Sequence, residues 1–223
     1  MDVEKLKMKQ LHLSALFQTT FFLIGCIITL TYSNVSAAET APQKTLLILG
    51  DSLSAGYGIT QGKNWTDLLQ TTLQQKGKKI HLVNASISGD TTANGLNRLP
   101  RALKTYNPNM VLIELGANDG LRGLPPKLIR KNLQALIESS LQAKVKVYLM
   151  EIIIPPNYGK RYTDTFRQIY HDLAEQYDLP LLPFLLENIA LKPELMQADG
   201  LHPNERAQEK ISAQMWQTLE PLL

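Results

Sequence analysis

The sequence of 223 residues has a single cysteine and little excess charge of either sign. One thiol excludes a disulfide framework and a cysteine-based zinc site within the chain. Lys and Arg number 23 against 20 Asp and Glu, a net charge of +3. With no basic cluster interleaved with aromatic residues, this balance indicates a solvated mixed surface and argues against a nucleic-acid partner. A hydrophobic fraction of 44% also argues against a disordered chain.

Several common catalytic and binding motifs are missing as well. The glycines between positions 56 and 62 complete neither a dinucleotide fingerprint nor a phosphate-binding loop. No His-Glu-x-x-His or other paired metal-ligand spacing occurs. The Gly-x-Ser-x-Gly turn of α/β-hydrolases is broken, because Ser54 stands where its second glycine would be.

The N-terminal segment has the three parts of a secretory signal. Three lysines lie among the first ten residues, an apolar run is densest over residues 21–30, and small residues follow it. Val35 and Ala37 fit the −3 and −1 positions for cleavage after Ala37, although cleavage one residue later also fits. This order of a basic, an apolar and a small-residue region predicts export.

We predict that residues 1–37 are a cleaved signal and that residues 38–223 form one domain, because no linker divides the rest of the chain. The protein is then periplasmic or secreted, with no stable membrane insertion. One alternative is an uncleaved anchor, for which the apolar core is short. Another is a lipoprotein anchored at Cys26, since residues 23–26 resemble a lipobox. The apolar run continues past Cys26, which argues against the lipoprotein.

After the signal, predicted strands alternate with predicted helices, which favours an α/β sandwich with a parallel sheet. Short apolar runs suit strands that are buried on both faces. Apolar residues at helical spacing mark the helices. The predicted strands are 46–49, 80–83, 110–115, 145–154 and 179–184, and the predicted helices are 65–73, 128–141, 162–177 and 207–219. The segment 92–104 is undecided because Pro100 interrupts it.

Polar loops containing glycine follow the first three predicted strands. They span residues 50–56, 84–91 and 116–120, and a fourth such loop at 199–203 precedes the last helix. In open α/β sheets, ligands bind beyond the carboxyl ends of the strands. These loops together offer a hydroxyl, a close-approach glycine, an amide and a carboxylate–imidazole pair, which are the groups that acyl transfer needs.

Three residues in these loops suit nucleophilic catalysis. Ser52 lies on a strand-to-helix turn, which exposes its hydroxyl. His202 is the candidate base, because the other histidines lie in the signal, in a strand and on a helix. Asp199 is placed to accept the imidazole N–H and to stabilise the imidazolium. Each residue alone is ordinary for a loop, and only the combination indicates a triad.

Two further residues suit the stabilisation of an oxyanion. Gly89 lacks a Cβ, so its N–H can approach a ligand closely. Asn118 offers a side-chain NH₂, and with the N–H of Ser52 these groups would give three donors. Taken singly, they are also consistent with a turn glycine and a loop cap.

Four blocks of this sequence resemble those of the SGNH (GDSL-type) hydrolase superfamily. Within it, the chain is similar to the periplasmic multifunctional thioesterase I/protease I/lysophospholipase group, also called arylesterases. Longer strings at 85–91, 118–123 and 157–162 are similar to that group in particular. The four blocks are Gly50-Asp51-Ser52-Leu53-Ser54, Gly89-Asp90, Gly116-Ala117-Asn118-Asp119 and Asp199-Gly200-Leu201-His202.

The resemblance implies a fold and a set of roles. The fold would be a flavodoxin-like, three-layer α/β/α sandwich with five parallel strands. Ser52 would be the nucleophile, His202 the base and Asp199 its partner, while Ser52, Gly89 and Asn118 would form the oxyanion hole. No metal and no organic cofactor would be needed.

The resemblance also implies a serine esterase that hydrolyses small acyl esters and thioesters through an acyl-enzyme. The loop 121–126 would move over the acyl chain, and we expect Asp51, Tyr57, Leu121 and Pro155 to contact substrate. We expect a monomer with no nucleic-acid partner. A carbohydrate O-deacetylase on the same fold is the alternative enzyme, and a non-catalytic binding protein is the alternative outside enzymes.

Overall fold

The computed structural model describes residues 43–223. The predicted signal, its cleavage site at Ala37 and Cys26 lie outside the described residues. In the part that is described, no helix is both long enough and apolar enough to cross a membrane.

Five strands and seven α-helices alternate along the described chain. The strands are β1 (Lys44–Gly50), β2 (Ile80–Asn84), β3 (Met110–Glu114), β4 (Lys146–Met150) and β5 (Leu181–Leu182). The helices are α1 (Ser52–Ala55), α2 (Trp65–Gln75), α3 (Thr92–Tyr106), α4 (Ala117–Leu121), α5 (Pro126–Gln142), α6 (Lys160–Gln176) and α7 (Glu205–Leu219). Three short 3₁₀ helices lie at Pro156–Tyr158, Pro193–Leu195 and Glu220–Leu222.

All neighbouring strands pair in parallel, in the order β2-β1-β3-β4-β5. This is the flavodoxin-like order, and it reverses direction between β1 and β3. Chains that leave neighbouring strands in opposite directions open a crevice at that point, beyond the carboxyl ends of the strands. The predicted fold class is therefore confirmed, and the loops after β1 and β3 flank the crevice.

Alternate residues of each central strand face opposite layers of helices. On β3, Met110 and Leu112 face the layer of α2 and α7, whereas Val111 and Ile113 face the layer of α3, α5 and α6. All four side chains are buried. Burial on both faces explains why the sequences of these strands are continuous apolar runs and do not alternate between apolar and polar residues.

The fourth and fifth strands are shorter than the sequence predicts. The apolar run 145–154 pairs only over Lys146–Met150, and the run 179–184 only over Leu181–Leu182. The neighbouring strands β3 and β5 both end at the level of Met150. Residues 151–154 therefore have few backbone partners. Their side chains are still largely buried at Glu151, Ile152 and Ile154, which is why hydropathy did not mark the end of the strand.

The undecided segment 92–104 forms one helix with Pro100 inside it. Proline removes a backbone donor and crowds the preceding turn, so it usually ends a helix. Here the helix continues to Tyr106 because its inner face packs on the sheet through residues such as Leu99 and Ala102. Tertiary packing therefore overrides the local preference.

The buried face of β3 allows a direct test of the packing. Leu112 is 0% exposed in the central strand, so we expect Leu112→Ala to lower the free energy of unfolding by about 2–5 kcal/mol. Leu191 is 93% exposed, and the same change there should cost less than about 0.5 kcal/mol. Urea unfolding followed by circular dichroism measures both, and equal losses would contradict this packing.

Candidate active site

Ser52 is placed by a sharp turn between β1 and α1. β1 ends at Gly50, and the carboxylate of Asp51 accepts a hydrogen bond from the N–H of Leu53 at 3.0 Å, which caps the short helix. The helix ends at Gly56, whose φ of 77° lies in the left-handed region that favours glycine. The turn holds the Ser52 side chain, half-buried, at the carboxyl edge of the sheet.

The imidazole of His202 lies between Ser52 and Asp199. Its Nε2 is 2.8 Å from the Ser52 Oγ, and its Nδ1 is 2.6 Å from an oxygen of the Asp199 carboxylate. An ionised carboxylate can only accept, so Nδ1 carries the hydrogen. Nε2 is then the acceptor for the hydroxyl of Ser52, which is the arrangement that a general base requires.

A tight turn fixes the carboxylate of Asp199. Its other oxygen accepts from the N–H groups of Leu201 at 2.9 Å and His202 at 3.0 Å. Partial burial alone would raise the pKa of Asp199, but the hydrogen bonds from the backbone and imidazole of His202 and from Leu201 outweigh it and lower the pKa to about 2. Asp199 therefore stays ionised wherever His202 can act as a base.

The two candidate oxyanion donors lie in neighbouring loops. Gly89 has a φ of 84°, and nothing lies within 4 Å of the position that a Cβ would take. Asn118, near the start of α4, donates from its side-chain NH₂ to Asp51 at 3.2 Å and to the carbonyl of Asp90 at 3.0 Å. Asn118 therefore joins the loops after β1, β2 and β3, and both amide hydrogens are aimed at the crevice loops.

Gly116 is needed because α4 begins very close to the helix layer. Its φ is 122°, and a Cβ there would lie 2.0 Å from the hydroxyl oxygen of Tyr170. That hydroxyl donates to the carbonyl of Leu115 at 2.9 Å. Asp119, buried behind Asn118, accepts from the N–H and hydroxyl of Thr92 at 2.8 and 2.6 Å. These contacts fix the start of the helix that carries Asn118.

Two buried carboxyls near Ser52 have perturbed acidity. Burial raises the pKa of Asp51 to about 6, although hydrogen bonds from Leu53 and Asn118 and the charge of His202 oppose the rise. Burial, followed by the charge of Asp51, raises the pKa of Glu114 well above its usual range. Burial therefore disfavours the charged forms of Asp51 and Glu114, which lie on the buried side of the turn that carries Ser52.

The residues predicted to contact substrate occupy different positions. Tyr57 is exposed, and its ring centroid lies 4.6 Å from that of His202. Leu121 and Pro155 are half-buried, and the carbonyl of Leu121 accepts from the hydroxyl of Tyr158 at 2.8 Å. Asp51 is 0% exposed, so the structure places it behind Ser52 rather than on the surface of the crevice.

Arg98 is a site residue that the sequence analysis missed. From α3 it donates to the carboxylate of Asp90 at 2.6 Å, to the carbonyl of Gly50 at 3.0 Å and to the carbonyl of Ala85. It thereby ties the end of β1 to the loop after β2. Nothing in the local sequence marks it, because an arginine on an amphipathic helix usually faces solvent.

Gln197 is a second residue that the sequence analysis missed. Its side-chain NH₂ donates to the carbonyls of Tyr57 at 2.8 Å and Pro203 at 3.0 Å. Its backbone N–H donates to the carbonyl of His202 at 2.8 Å. Gln197 thus joins the loop that follows Ser52 to the turn that carries His202.

Metal ligation finds no support in this part of the chain. Across residues 43–223, no group of three or more His, Cys, Asp or Glu side chains is placed to hold a metal ion.

Comparisons with known proteins show similarity over most of the chain. Residues 48–210 match the model of the GDSL-like lipase/acylhydrolase family. The chain is 52% identical over 178 residues to an arylesterase of Vibrio mimicus, covering 80% of this chain and 88% of that protein. It is 48% identical over 185 residues to thioesterase 1/protease 1/lysophospholipase L1 of Escherichia coli strain K12, covering 83% and 88%.

A solved structure is similar over the same region. The psychrotrophic esterase EstA from Pseudoalteromonas sp., in a form inhibited by monoethylphosphonate, has a TM-score of 0.79 at 46% identity. The match covers 80% of this chain and 98% of that one. All four loops of the candidate site lie within residues 48–210, the segment that matches the family model.

The pKa of Asp199 predicts a pH-dependent contribution to stability. Because the folded-state pKa, about 2, lies below the ordinary value of 3.8, the contribution is present above about pH 5 and is lost as the pH falls through about 2. Asp199 is partly exposed, so we expect less than about 1 kcal/mol. The difference in free energy of unfolding between wild type and Asp199→Asn should shrink between about pH 5 and pH 3 in urea titrations.

The control for this titration is Glu175→Gln, which removes one exposed carboxylate from α6. Its difference from wild type over the same range gives the baseline for removing one carboxylate that accepts no hydrogen bond from an imidazole of the described chain. A difference for Asp199→Asn that grows as the pH falls would contradict the proposed hydrogen bonding.

Proposed function

The chain belongs to the GDSL-like lipase/acylhydrolase family, and on that premise we propose that Ser52, His202 and Asp199 are the catalytic triad of an esterase and thioesterase. The observation that carries the proposal is the position of the His202 imidazole, 2.8 Å from the Ser52 Oγ and 2.6 Å from the Asp199 carboxylate. A nucleophile, its base and the group that orients the base are thus in hydrogen-bond contact.

The first half of the reaction forms an acyl-enzyme. The Oγ of Ser52 attacks the carbonyl carbon of the ester or thioester while Nε2 of His202 takes its proton. Asp199 stabilises the imidazolium that results. The bond to the leaving group then breaks, and the alcohol or thiol leaves with the proton from His202.

The second half releases the acid. Nε2 of His202 takes a proton from water, which attacks the acyl carbon, and the Oγ of Ser52 leaves with that proton. In both halves the N–H groups of Ser52 and Gly89 and the NH₂ of Asn118 would stabilise the negative oxygen. Asn118 would redirect one hydrogen from Asp51 or Asp90 to do so.

The substrate is a small acyl ester or thioester, as the names of the relatives suggest. Three exposed apolar side chains support an apolar acyl group: Tyr57 against His202, Ile87 in the loop before Gly89, and Leu201 next to His202. A sugar O-deacetylase would have little use for these groups, because an acetyl group buries little apolar surface. The geometry therefore favours the esterase and thioesterase over the deacetylase alternative.

A series of p-nitrophenyl esters tests both the triad and the acyl preference. Each added methylene that leaves water contributes about 0.8 kcal/mol, so kcat/KM for the octanoyl ester should equal or exceed that for the acetyl ester. Ser52→Ala should lower kcat by at least about 10⁴-fold for every ester while the protein stays folded. Release of p-nitrophenol followed by absorbance gives both values.

Ser139→Ala is the matched control, because Ser139 lies on α5 away from the crevice, and it should keep wild-type activity. Activity of Ser52→Ala close to wild type would overturn the triad. An acetyl ester preferred by orders of magnitude would favour the deacetylase.

We propose further that the mature protein is exported, comprises residues 38–223 as one domain and acts as a monomer. Export is supported by the basic, apolar and small-residue regions of the N-terminal segment. A monomer is supported because the described domain alone supplies the serine, the imidazole, the carboxylate and the candidate oxyanion donors.

The intact mass of the protein recovered from the periplasm or medium tests the export proposal. We expect a chain that starts at Ala38, because cleavage after Ala37 fits the small-residue rule. A lipid-modified chain that starts at Cys26 would overturn cleavage at Ala37 in favour of the lipoprotein. Recovery of the full-length chain in membranes would instead favour the uncleaved anchor.

A further inference from the structure

Glu114 is a fully buried carboxyl that the proposed reaction does not use. It is the last residue of β3 and lies in register beside Gly50, the last residue of β1. Its side chain is 0% exposed. Burying a carboxyl is unfavourable unless hydrogen bonds compensate for the lost hydration. The contacts of Glu114 therefore indicate its role.

The contacts of Glu114 lie on either side of the proposed nucleophile. One carboxyl oxygen accepts from the backbone N–H of Asp51 at 3.3 Å and from the hydroxyl of Ser54 at 2.7 Å. Asp51 precedes Ser52 and Ser54 follows it by two residues. Glu114 therefore contacts the turn both before and after Ser52, from the strand next to it.

Gly50 is the residue that allows Glu114 to come so close. A Cβ at position 50 would lie 2.5 Å from the bonded oxygen of Glu114 and 2.9 Å from the hydroxyl of Ser86. A larger residue would therefore force the carboxyl away from the turn. The position of the Glu114 carboxyl therefore requires glycine at position 50, the first residue of the first sequence block.

Glu114 is held by neutral hydrogen bonds rather than by an ion pair. In the described chain no Lys, Arg or His pairs with it, and its second oxygen is buried without a partner. Burial and the neighbouring Asp51 raise its pKa well above the usual range. The raised pKa favours the neutral form of the carboxyl, and its two hydrogen bonds hold the turn on either side of Ser52.

We propose that Glu114 is a positioning residue that fixes the Ser52 hydroxyl and N–H by holding Asp51 and Ser54 on either side of it. The proposal rests on Ser52 being the nucleophile. A misplacement of reacting groups by about 1 Å can cost about 10²-fold in rate. The contact therefore bears on the rate of the chemical step and less on substrate binding.

Two substitutions of Glu114 separate positioning from stability. Glu114→Gln keeps a neutral side chain with an acceptor oxygen, so its kcat should stay close to wild type. Glu114→Leu keeps the size but removes the acceptor, so its kcat should fall by about 10²-fold with KM nearly unchanged. Both constants are measured on p-nitrophenyl butyrate, with Tm from thermal unfolding.

Leu112→Val is the matched control, because Leu112 lies on the same strand and the same buried face. It should lower Tm and leave kcat unchanged. Ser54→Ala provides a second route if Glu114→Leu fails to fold, since it removes one contact and leaves Glu114 in place. It should lower kcat in the same sense as Glu114→Leu, by a smaller factor.

Two results would overturn the role of Glu114, and a third would refute the triad on which it rests. A folded Glu114→Leu, or Ser54→Ala where that variant does not fold, with wild-type kcat would show that the contact does not position Ser52. A loss in Glu114→Gln as large as that in Glu114→Leu would show that a neutral acceptor is not enough. Full activity of Ser52→Ala would instead refute the triad, which distinguishes failure of the proposed function from failure of the role of Glu114.

Discussion

The imidazole of His202 is hydrogen-bonded at both nitrogens, and the chemistry of the site depends on that arrangement. Asp199 fixes the hydrogen on Nδ1, which leaves Nε2 free to accept from Ser52. The turn that carries His202 is closed by the Asp199 carboxylate, which accepts from the N–H of His202, and by Gln197, whose N–H donates to the carbonyl of His202. A rotation of the ring would break both contacts, so its orientation is held by the carboxylate and the surrounding loop together.

The parallel sheet explains how residues so distant in sequence meet. Ser52 and His202 are 150 residues apart, yet the strands deliver the loops after β1, β2 and β3 to one edge. Arg98 and Asn118 then join these loops through hydrogen bonds to backbone and carboxylate oxygens. The sheet and its cross-linked loops hold Ser52 and the candidate oxyanion donors in fixed positions, and the hydrogen bonds of Glu114 to Asp51 and Ser54 add to that support.

Sequence reasoning identified as candidates the residues whose chemistry is evident from residue type and position. Ser52 and His202 stood out because each lies in a polar loop at a predicted strand or helix end, and the family blocks agreed. Arg98 and Glu114 were missed because their partners are backbone groups of distant loops, which no local pattern marks. The long prediction for strand 145–154 was wrong because hydropathy reports burial, whereas a strand also needs a neighbour. For Pro100, packing of the inner helix face outweighed a local preference.

The central claim is that Ser52 forms the covalent bond to the acyl group and that His202 activates the hydroxyl of Ser52. The most direct measurement treats the protein with a fluorophosphonate and locates the adduct by mass spectrometry of the digested chain. We expect one phosphonyl group on Ser52, formed far more slowly in His202→Ala. An adduct on another serine, or labelling that His202→Ala does not slow, would contradict it.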